Sequence, residues 1–411
     1  MPGAASTARI RLLWAGFAFL YLLIALWIAL AAPPAIGDEK VHYAQIDLFD
    51  HGVFRVYTTL LTTLPGYHAL VAGLLWLFDQ RTLTAARLLS AVFGLLAIAA
   101  FHLLRKGASG RASHAATFQF AFLPILFPYC FLVYTDVLSL ALVLAAGAAT
   151  LRARHRTSAV LMLLAMAIRQ VNVIWLPLYM GMAIRRTDLA FAPRRHGRRM
   201  MLLLSPYLVD IGIFLAYWVW NGSISMSKEQ VAMHPDFALH AGNVYFALFL
   251  CGILFPLHVA VGLKPAVVAM VERKWLALLV IAAFALYWWS FHNDHPFNQA
   301  TIPLWLHNYV VQRCADSIVC KAALGLIAVA ALCGLAGTRL DSIGRPVFYG
   351  LSALALAAFW MVEPRYALIP LSLWLAFRER RGTQIEGPTT ALWIGFAGCV
   401  CFGAFSGTFL P

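Results

Sequence analysis

Asp38 and Glu39 are adjacent carboxylates in a polar island, Gly37-Asp38-Glu39-Lys40-Val41-His42-Tyr43-Ala44-Gln45, directly after the first apolar segment of the chain. Ionisable side chains next to a lipid phase are costly and are kept for a task or a partner. A carboxylate there can take a proton from a hydroxyl while the oxygen attacks a carbon. The competing reading is a hydrated helix start, because acids favour the positive end of a helix dipole.

Further polar islands follow along the chain. Thr62-Thr63-Leu64-Pro65-Gly66-Tyr67 contains a Pro-Gly turn, and Tyr134-Thr135-Asp136 marks another turn in which Asp136 can cap the next helix. Arg169-Gln170-Val171-Asn172 puts three polar side chains within four residues. A lone arginine at a span end would be snorkelling, whereas a cluster is turned toward a cavity or a partner. The stretch from His292 to Arg313 carries Asn293, Asp294, His295, Asn298, Gln299, His307 and Asn308. It reads either as a solvated loop or as hydrogen-bonding groups for a sugar or a phosphate. Glu363-Pro364-Arg365-Tyr366 offers a guanidinium that can pair with Glu363 or hold phosphate oxygens bidentately. Lys228 and Glu229 sit in a wider loop beside Asn221-Gly222-Ser223, a glycosylation sequon.

The elements that position these islands must be membrane helices. Of the 411 residues 62% are hydrophobic and only 12% charged, against about 25% charged in a soluble domain. Apolar runs approaching the ~20 residues of a spanning helix recur from end to end. The expectation is an all-α polytopic integral membrane protein of about 13 transmembrane helices, one domain over 1–411 with no soluble domain. The spans are expected near 12–32, 84–104, 114–133, 137–151, 157–169, 171–184, 200–220, 243–262, 275–291, 318–336, 346–361, 364–377 and 390–409. The run from Arg9 to Ala32 exceeds the apolar core of a cleaved signal peptide and reads as an uncleaved first span.

Residues 33–83 form the first outer loop. Its apolar stretch from Leu64 to Phe78 is expected to lie in the interface, because treating it as a span would invert every later loop. With it interfacial, most of the 31 basic residues collect on the cytoplasmic side, including Arg111, Arg154, Arg156, Arg194, Arg195 and Arg199. Asp38, Glu39, Asp136, Glu363 and most histidines, His42, His68, His234 and His295 among them, fall on the outer side. That is where chemistry is expected. The net charge of +14 resides in loops and does not imply nucleic acid. The seven cysteines show no metal-ligand spacing. Cys314 and Cys320 flank an outer loop, where a disulfide stays open. No metal and no cofactor are expected.

In this order the islands resemble the family of endoplasmic-reticulum alpha-1,2-glucosyltransferases, which add the last glucose to the lipid-linked oligosaccharide for N-glycosylation. The resemblance runs from Asp38-Glu39, with His42 and Gln45, through Thr62–Gly66, Tyr134–Asp136, Arg169–Asn172 and His295-Pro296-Phe297 to Arg313 and Glu363–Tyr366. Gly37 stands where the family usually has methionine, and Val171 where it usually has threonine.

The resemblance implies a GT-C glycosyltransferase fold, a polyprenyl- or dolichyl-phosphate-sugar donor and a lipid-linked glycan acceptor. It also implies inverting transfer on the outer or lumenal face. Asp38 or Glu39 would be the base, while Arg365, Arg313 and Arg169 would hold the donor phosphate. His42, Gln45, Gln170, Asn172, His295, Asp136 and Tyr366 would contact sugar or acceptor. Short loops rich in alanine and arginine point to a bacterial plasma membrane. Three other readings compete: a transporter or flippase for a lipid-linked sugar, a GT-C enzyme acting on lipid A or protein, and a non-catalytic subunit. A flippase would use ionisable groups in mid-membrane and two related halves, and Asp210 is the mid-span carboxylate found.

Overall fold

The computed structural model describes residues 4–58, 60–110, 113–187, 197–227, 235–236, 238–300 and 305–410. Arg111, Arg194, Arg195, Lys228, Glu229 and His234 lie outside the described residues. Among the described residues the structure is helical, apart from isolated bridges joining Trp305 to Leu410 and Leu340 to Arg378. The helices cluster into two compact units, Met1–Glu229 and Gln230–Pro411.

The first unit contains α1 (Ala4–Ala31), α2 (Glu39–Asp50), α3 (Gly66–Leu77), α4 (Leu83–Ser109), α5 (His114–Ala121), α6 (Thr135–Leu151), α7 (His155–Ile168), α8 (Leu176–Arg185) and α9 (Gly197–Asn221). Ala32 turns to a φ of 41° after α1, and Pro33-Pro34 then removes two helix donors. Thr82 caps α4 by accepting from the Ala85 N–H at 3.1 Å. Gly110 closes the same helix in the left-handed region at φ 71°. Phe101 of α4 and Phe120 of α5 stack at 4.1 Å. The sequon residue Asn221 commits its Nδ2 to the carbonyls of Ser223 and Ser225, both at 2.8 Å.

The second unit contains α10 (Gly242–Leu254), α11 (Pro256–Glu272), α12 (Lys274–Ser290), α13 (Pro296–Gln299), α14 (Leu306–Asp316), α15 (Ile318–Ala336), α16 (Arg345–Ala357), α17 (Leu368–Phe377) and α18 (Thr383–Phe405). Helices α11 and α15 approach closely: a Cβ on Gly334 would sit 2.8 Å from the Val259 Cα. Arg378 and Glu386 form a buried bidentate pair at 2.7 and 2.8 Å, with His258 3.3 Å from the same carboxylate.

Five described helical stretches are long and apolar enough to cross a membrane: Arg11–Ala31, Leu83–Ser109, Gly197–Asn221, Ile318–Ala336 and Thr383–Phe405. The count is six if α10 and α11, bent by 105°, form one broken span. The expected spans 12–32, 84–104, 200–220, 318–336 and 390–409 fall on or overlap these five.

Four expected spans are not continuous helices. Over 114–133, α5 stops at Ala121, and Pro124 and Pro128 leave only a 3₁₀ turn at Phe127–Phe131. Over 171–184, a 3₁₀ turn at Gln170–Trp175 precedes α8, with Pro177 at its start. Over 243–262, Pro256 forces Phe255 out of the helical region. Over 364–377, Pro364 opens a 3₁₀ turn before α17. Cys314 and Cys320 are both free thiols, one buried and one exposed, rather than a disulfide.

Candidate functional site

The carboxylate pair divides into two environments. Glu39, in the first turn of α2, is fully buried. It accepts from Arg87 Nε at 2.9 Å and Nη2 at 2.5 Å. It also accepts from the backbone N–H groups of Ile36 and Val133, each at 2.9 Å. Arg87 is itself buried and donates to the carbonyls of Pro33 at 2.7 Å and Pro34 at 2.9 Å. Glu39 is thus an anchor: it binds the loop after α1 and the strand-like stretch before α6 to α4. A carboxylate saturated this way has no exposed lone pair with which to receive a substrate proton.

Asp38 is half-buried at the N-cap of α2, and its side chain does not cap the helix. Its backbone N–H donates to Tyr134 Oη at 3.0 Å, and that hydroxyl lies 3.4 Å from the Ile36 carbonyl. The Tyr134-Thr135-Asp136 motif therefore fixes the turn that presents Asp38. One turn further along α2, His42 Nδ1 lies 3.0 Å from His68 Nε2 of α3. The His42 ring also packs edge-on against Tyr134, 5.6 Å between centroids. Burial, reinforced by the neighbouring His42, holds the His68 pKa well below its usual 6.5. Tyr67 Oη meets Ser90 Oγ at 3.2 Å and locks α3 to α4.

Other expected ligands of the first unit are used inside the fold. Gln45 spans the Arg55 carbonyl (2.9 Å) and the Tyr57 N–H (2.6 Å), tying down the loop after α2. Gln170 donates to the carbonyls of Thr62 (2.7 Å) and Ile224 (2.8 Å) and so holds the Thr62–Gly66 island. Asn172 is fully buried and donates to Ser139 Oγ and the Ala165 carbonyl, both at 2.8 Å. Asp136 and Arg169 form an ion pair. Gly66 has no room for a side chain: a Cβ would lie 2.5 Å from the Ala167 carbonyl oxygen.

In the second unit a lattice of asparagines shapes the turn before α17. Asn243 Nδ2 donates to the carbonyls of Phe359 (2.9 Å) and Met361 (2.7 Å), and its Oδ1 accepts from the Glu363 N–H at 2.9 Å. Asn298 makes the corresponding pair of bonds to the Val362 backbone at 2.8 and 2.9 Å. Arg365 Nε is paired with Glu363. Tyr366 stacks on Phe359 at 3.9 Å. His295 is buried, caps α13 through the Phe297 N–H and packs edge-on against Trp360 at 4.8 Å. Arg313, exposed on α14, lies over the Tyr309 ring at 4.9 Å.

Sequence reasoning missed Arg87, Trp360 and the role of His68. The signal for Arg87 was present, because a cation one turn inside an apolar helix needs a buried partner. For His68 and Trp360 it was absent, since a lone histidine or tryptophan in an apolar run carries no partner information.

The profile of the DIE2/ALG10 family matches residues 32–199 and 187–376. An Arabidopsis thaliana protein named Dol-P-Glc:Glc(2)Man(9)GlcNAc(2)-PP-Dol alpha-1,2-glucosyltransferase is 23% identical over 341 residues, covering 62% of this chain and 66% of that protein. The chain thus spans just under two thirds of that relative's length. A Homo sapiens protein of the same name is 24% identical over 397 residues, covering 81% of each. One from Drosophila melanogaster is 32% identical over 249 residues, 52% of this chain and 55% of that one. The crystal structure of apo ArnT from Cupriavidus metallidurans superimposes over 93% of this chain and 77% of that one, with a TM-score of 0.39 and 16% identity. That likeness is too weak to define a shared fold. The chain belongs to the DIE2/ALG10 family.

Proposed function

We propose that the chain is an inverting glycosyltransferase of GT-C type. It moves a sugar, glucose by analogy with its relatives' names, from a polyprenyl-phosphate donor to a hydroxyl of a lipid-linked glycan at the outer membrane face. The observation that carries this reading is the contrast between Asp38 and Glu39. One carboxylate is locked in a buried ion pair, and its neighbour is held half-exposed at a rigid turn beside a histidine pair. Family membership supports the reaction class.

Asp38 takes the proton of the acceptor hydroxyl as its oxygen attacks the anomeric carbon. The carbon–oxygen bond to phosphate breaks, and the lipid phosphate leaves with the electron pair. Attack from the opposite face inverts the anomeric centre, so a beta-linked donor gives an alpha-linked product. A positioned base of this kind contributes roughly 10²–10⁴-fold in rate. Arg365, oriented by Glu363, neutralises the departing phosphate, with Arg313 and Arg169 as further cations. His42, with His295, Asp136 and Tyr366, contacts sugar or acceptor. Gln45, Gln170 and Asn172 act by shaping the loops around them.

The test is incubation of the purified protein with a panel of polyprenyl-phosphate sugars, reading release of free polyprenyl phosphate. Release from one donor that disappears in Asp38→Asn supports the reading. No release from any donor, with a lipid-linked acceptor supplied, rejects it.

A further inference from the structure

At the start of α7 and the first turns of α9 the structure has an open groove of about 760 Å³. Arg154, His155, Arg156 and Arg199 line it, joined by Thr157. No carboxylate among its lining residues balances them, and among the described residues none of the three arginines has an ion-pair partner. Helix α7 begins in the groove without a side-chain cap. Its first N–H groups and the positive end of its dipole therefore add to the cationic field. His155 is fixed there by Tyr207, whose hydroxyl lies 3.2 Å from Nδ1. That contact leaves Nε2 as the ring nitrogen available to a ligand.

The opposite wall is apolar, formed by Leu202 and Leu203. From Leu202, 66% exposed, a strip of exposed apolar side chains continues along α9 through Val209 (59%) and Ile213 (44%). Helix α9 is long and apolar enough to cross a membrane, so this strip would face acyl chains. A cationic pocket opening onto an apolar strip has the polarity pattern of an amphiphile, not of a free ion.

We propose that this groove binds the phosphate group of an anionic membrane lipid. Two or more guanidinium forks would take the phosphate oxygens, and the acyl chains would lie along α9. The site is separate from the residues assigned to catalysis above, and nothing in it depends on the sugar-transfer reading.

Native mass spectrometry of the purified protein, titrated with phosphatidylglycerol or phosphatidylcholine, tests the proposal. The wild type should hold one phosphatidylglycerol at least about tenfold more tightly than phosphatidylcholine, because phosphatidylcholine carries the same phosphate beside a choline cation that the clustered arginines repel. The Arg154→Gln, Arg156→Gln, Arg199→Gln triple variant should lose that preference. An equal charge change elsewhere, Lys264→Gln with Arg273→Gln and Lys274→Gln, should leave it intact. The corresponding Arg→Lys triple variant should bind more weakly than wild type, since lysine keeps the charge but not the fork. If the glutamine triple does not fold, this variant decides the matter.

Three results overturn the proposal. One is unchanged phosphatidylglycerol binding in a folded glutamine triple, or in the lysine triple if only that one folds. Another is equal damage from the control triple. The third is displacement of the lipid by millimolar inorganic phosphate, which would make the ligand a soluble phosphate.

Discussion

Glu39 and Arg87 form a fully buried bidentate pair, and the same guanidinium holds the carbonyls of Pro33 and Pro34. The contact joins the end of α1, the start of α2 and the first turns of α4. It sets the two adjacent acids apart: Glu39 fixes the position of α2 through a buried ion pair, whereas Asp38, half-buried at the N-cap, is the acid proposed above as the base.

Breaking the pair should therefore cost stability. Arg87→Met leaves a buried, unpaired Glu39 carboxylate and should destabilise the protein by about 3–5 kcal/mol. The Glu39→Met, Arg87→Met double variant removes both charges and should recover part of that loss. Thermal unfolding of the detergent-purified variants measures both. A double variant as unstable as Arg87→Met alone would mean that the pair is not the source of the effect.

Asp38→Asn should behave in the opposite way. The fold should be kept, because asparagine matches aspartate in size and the bond to Tyr134 that holds this turn comes from the Asp38 backbone N–H. Sugar transfer should fall by roughly 10²–10⁴-fold, the loss of a positioned base. Near-normal transfer in this variant would remove Asp38 as the base.

The helical class and the main polar islands were legible in the sequence because composition and charge asymmetry act over the whole chain. The different environments of Asp38 and Glu39 were not, since they depend on Arg87, 48 residues away from Glu39. Gln45, Gln170 and Asn172 read as ligands because buried amides look the same in sequence whether they bind a substrate or a loop carbonyl. The broken spans had a visible cause in Pro124, Pro177, Pro256 and Pro364. Apolar length alone concealed it.

The stretch from Leu64 to Phe78 should not cross the membrane. Helix α3 within it has 12 residues, about 18 Å at 1.5 Å per residue, against a hydrocarbon core of ~30 Å. A cysteine at exposed Gln80 should react with an impermeant maleimide from outside intact cells. Gln80 is a better site than Asp79, which has a φ of 51°. The exposed Cys320 and Cys399 should be changed to serine first. Labelling only after the cells are opened would place α3 across the bilayer.

His68 should make stability depend on pH in one direction. Its folded pKa lies well below the usual 6.5, so the folded state excludes a proton that the denatured state accepts. Above pH 6.5 both states are neutral at this site and it adds no pH dependence. As pH falls below 6.5, stability should drop by up to about 1.4 kcal/mol per unit until the folded pKa is reached. His68→Gln can still donate to His42 and should flatten that slope. Equal slopes in wild type and variant, from denaturation midpoints across pH 5–8, would assign the dependence to other groups.

Arg365 separates a binding role from a structural one. It is paired with Glu363, whose backbone is itself held by Asn243 at 2.9 Å. If Arg365 holds the donor phosphate, Arg365→Lys should keep the fold but weaken donor binding by about 1.5–3 kcal/mol, because lysine cannot reproduce the fork. Glu363→Ala should weaken binding less, through loss of orientation alone. If the pair is only structural, Arg365→Ala and Glu363→Ala should be equally harmful, and the double variant no worse than either. Donor affinity by isothermal titration, alongside melting temperatures, distinguishes the two. Unchanged affinity in a well-folded Arg365→Lys protein would move the phosphate to another cation, with exposed Arg313 the next to test.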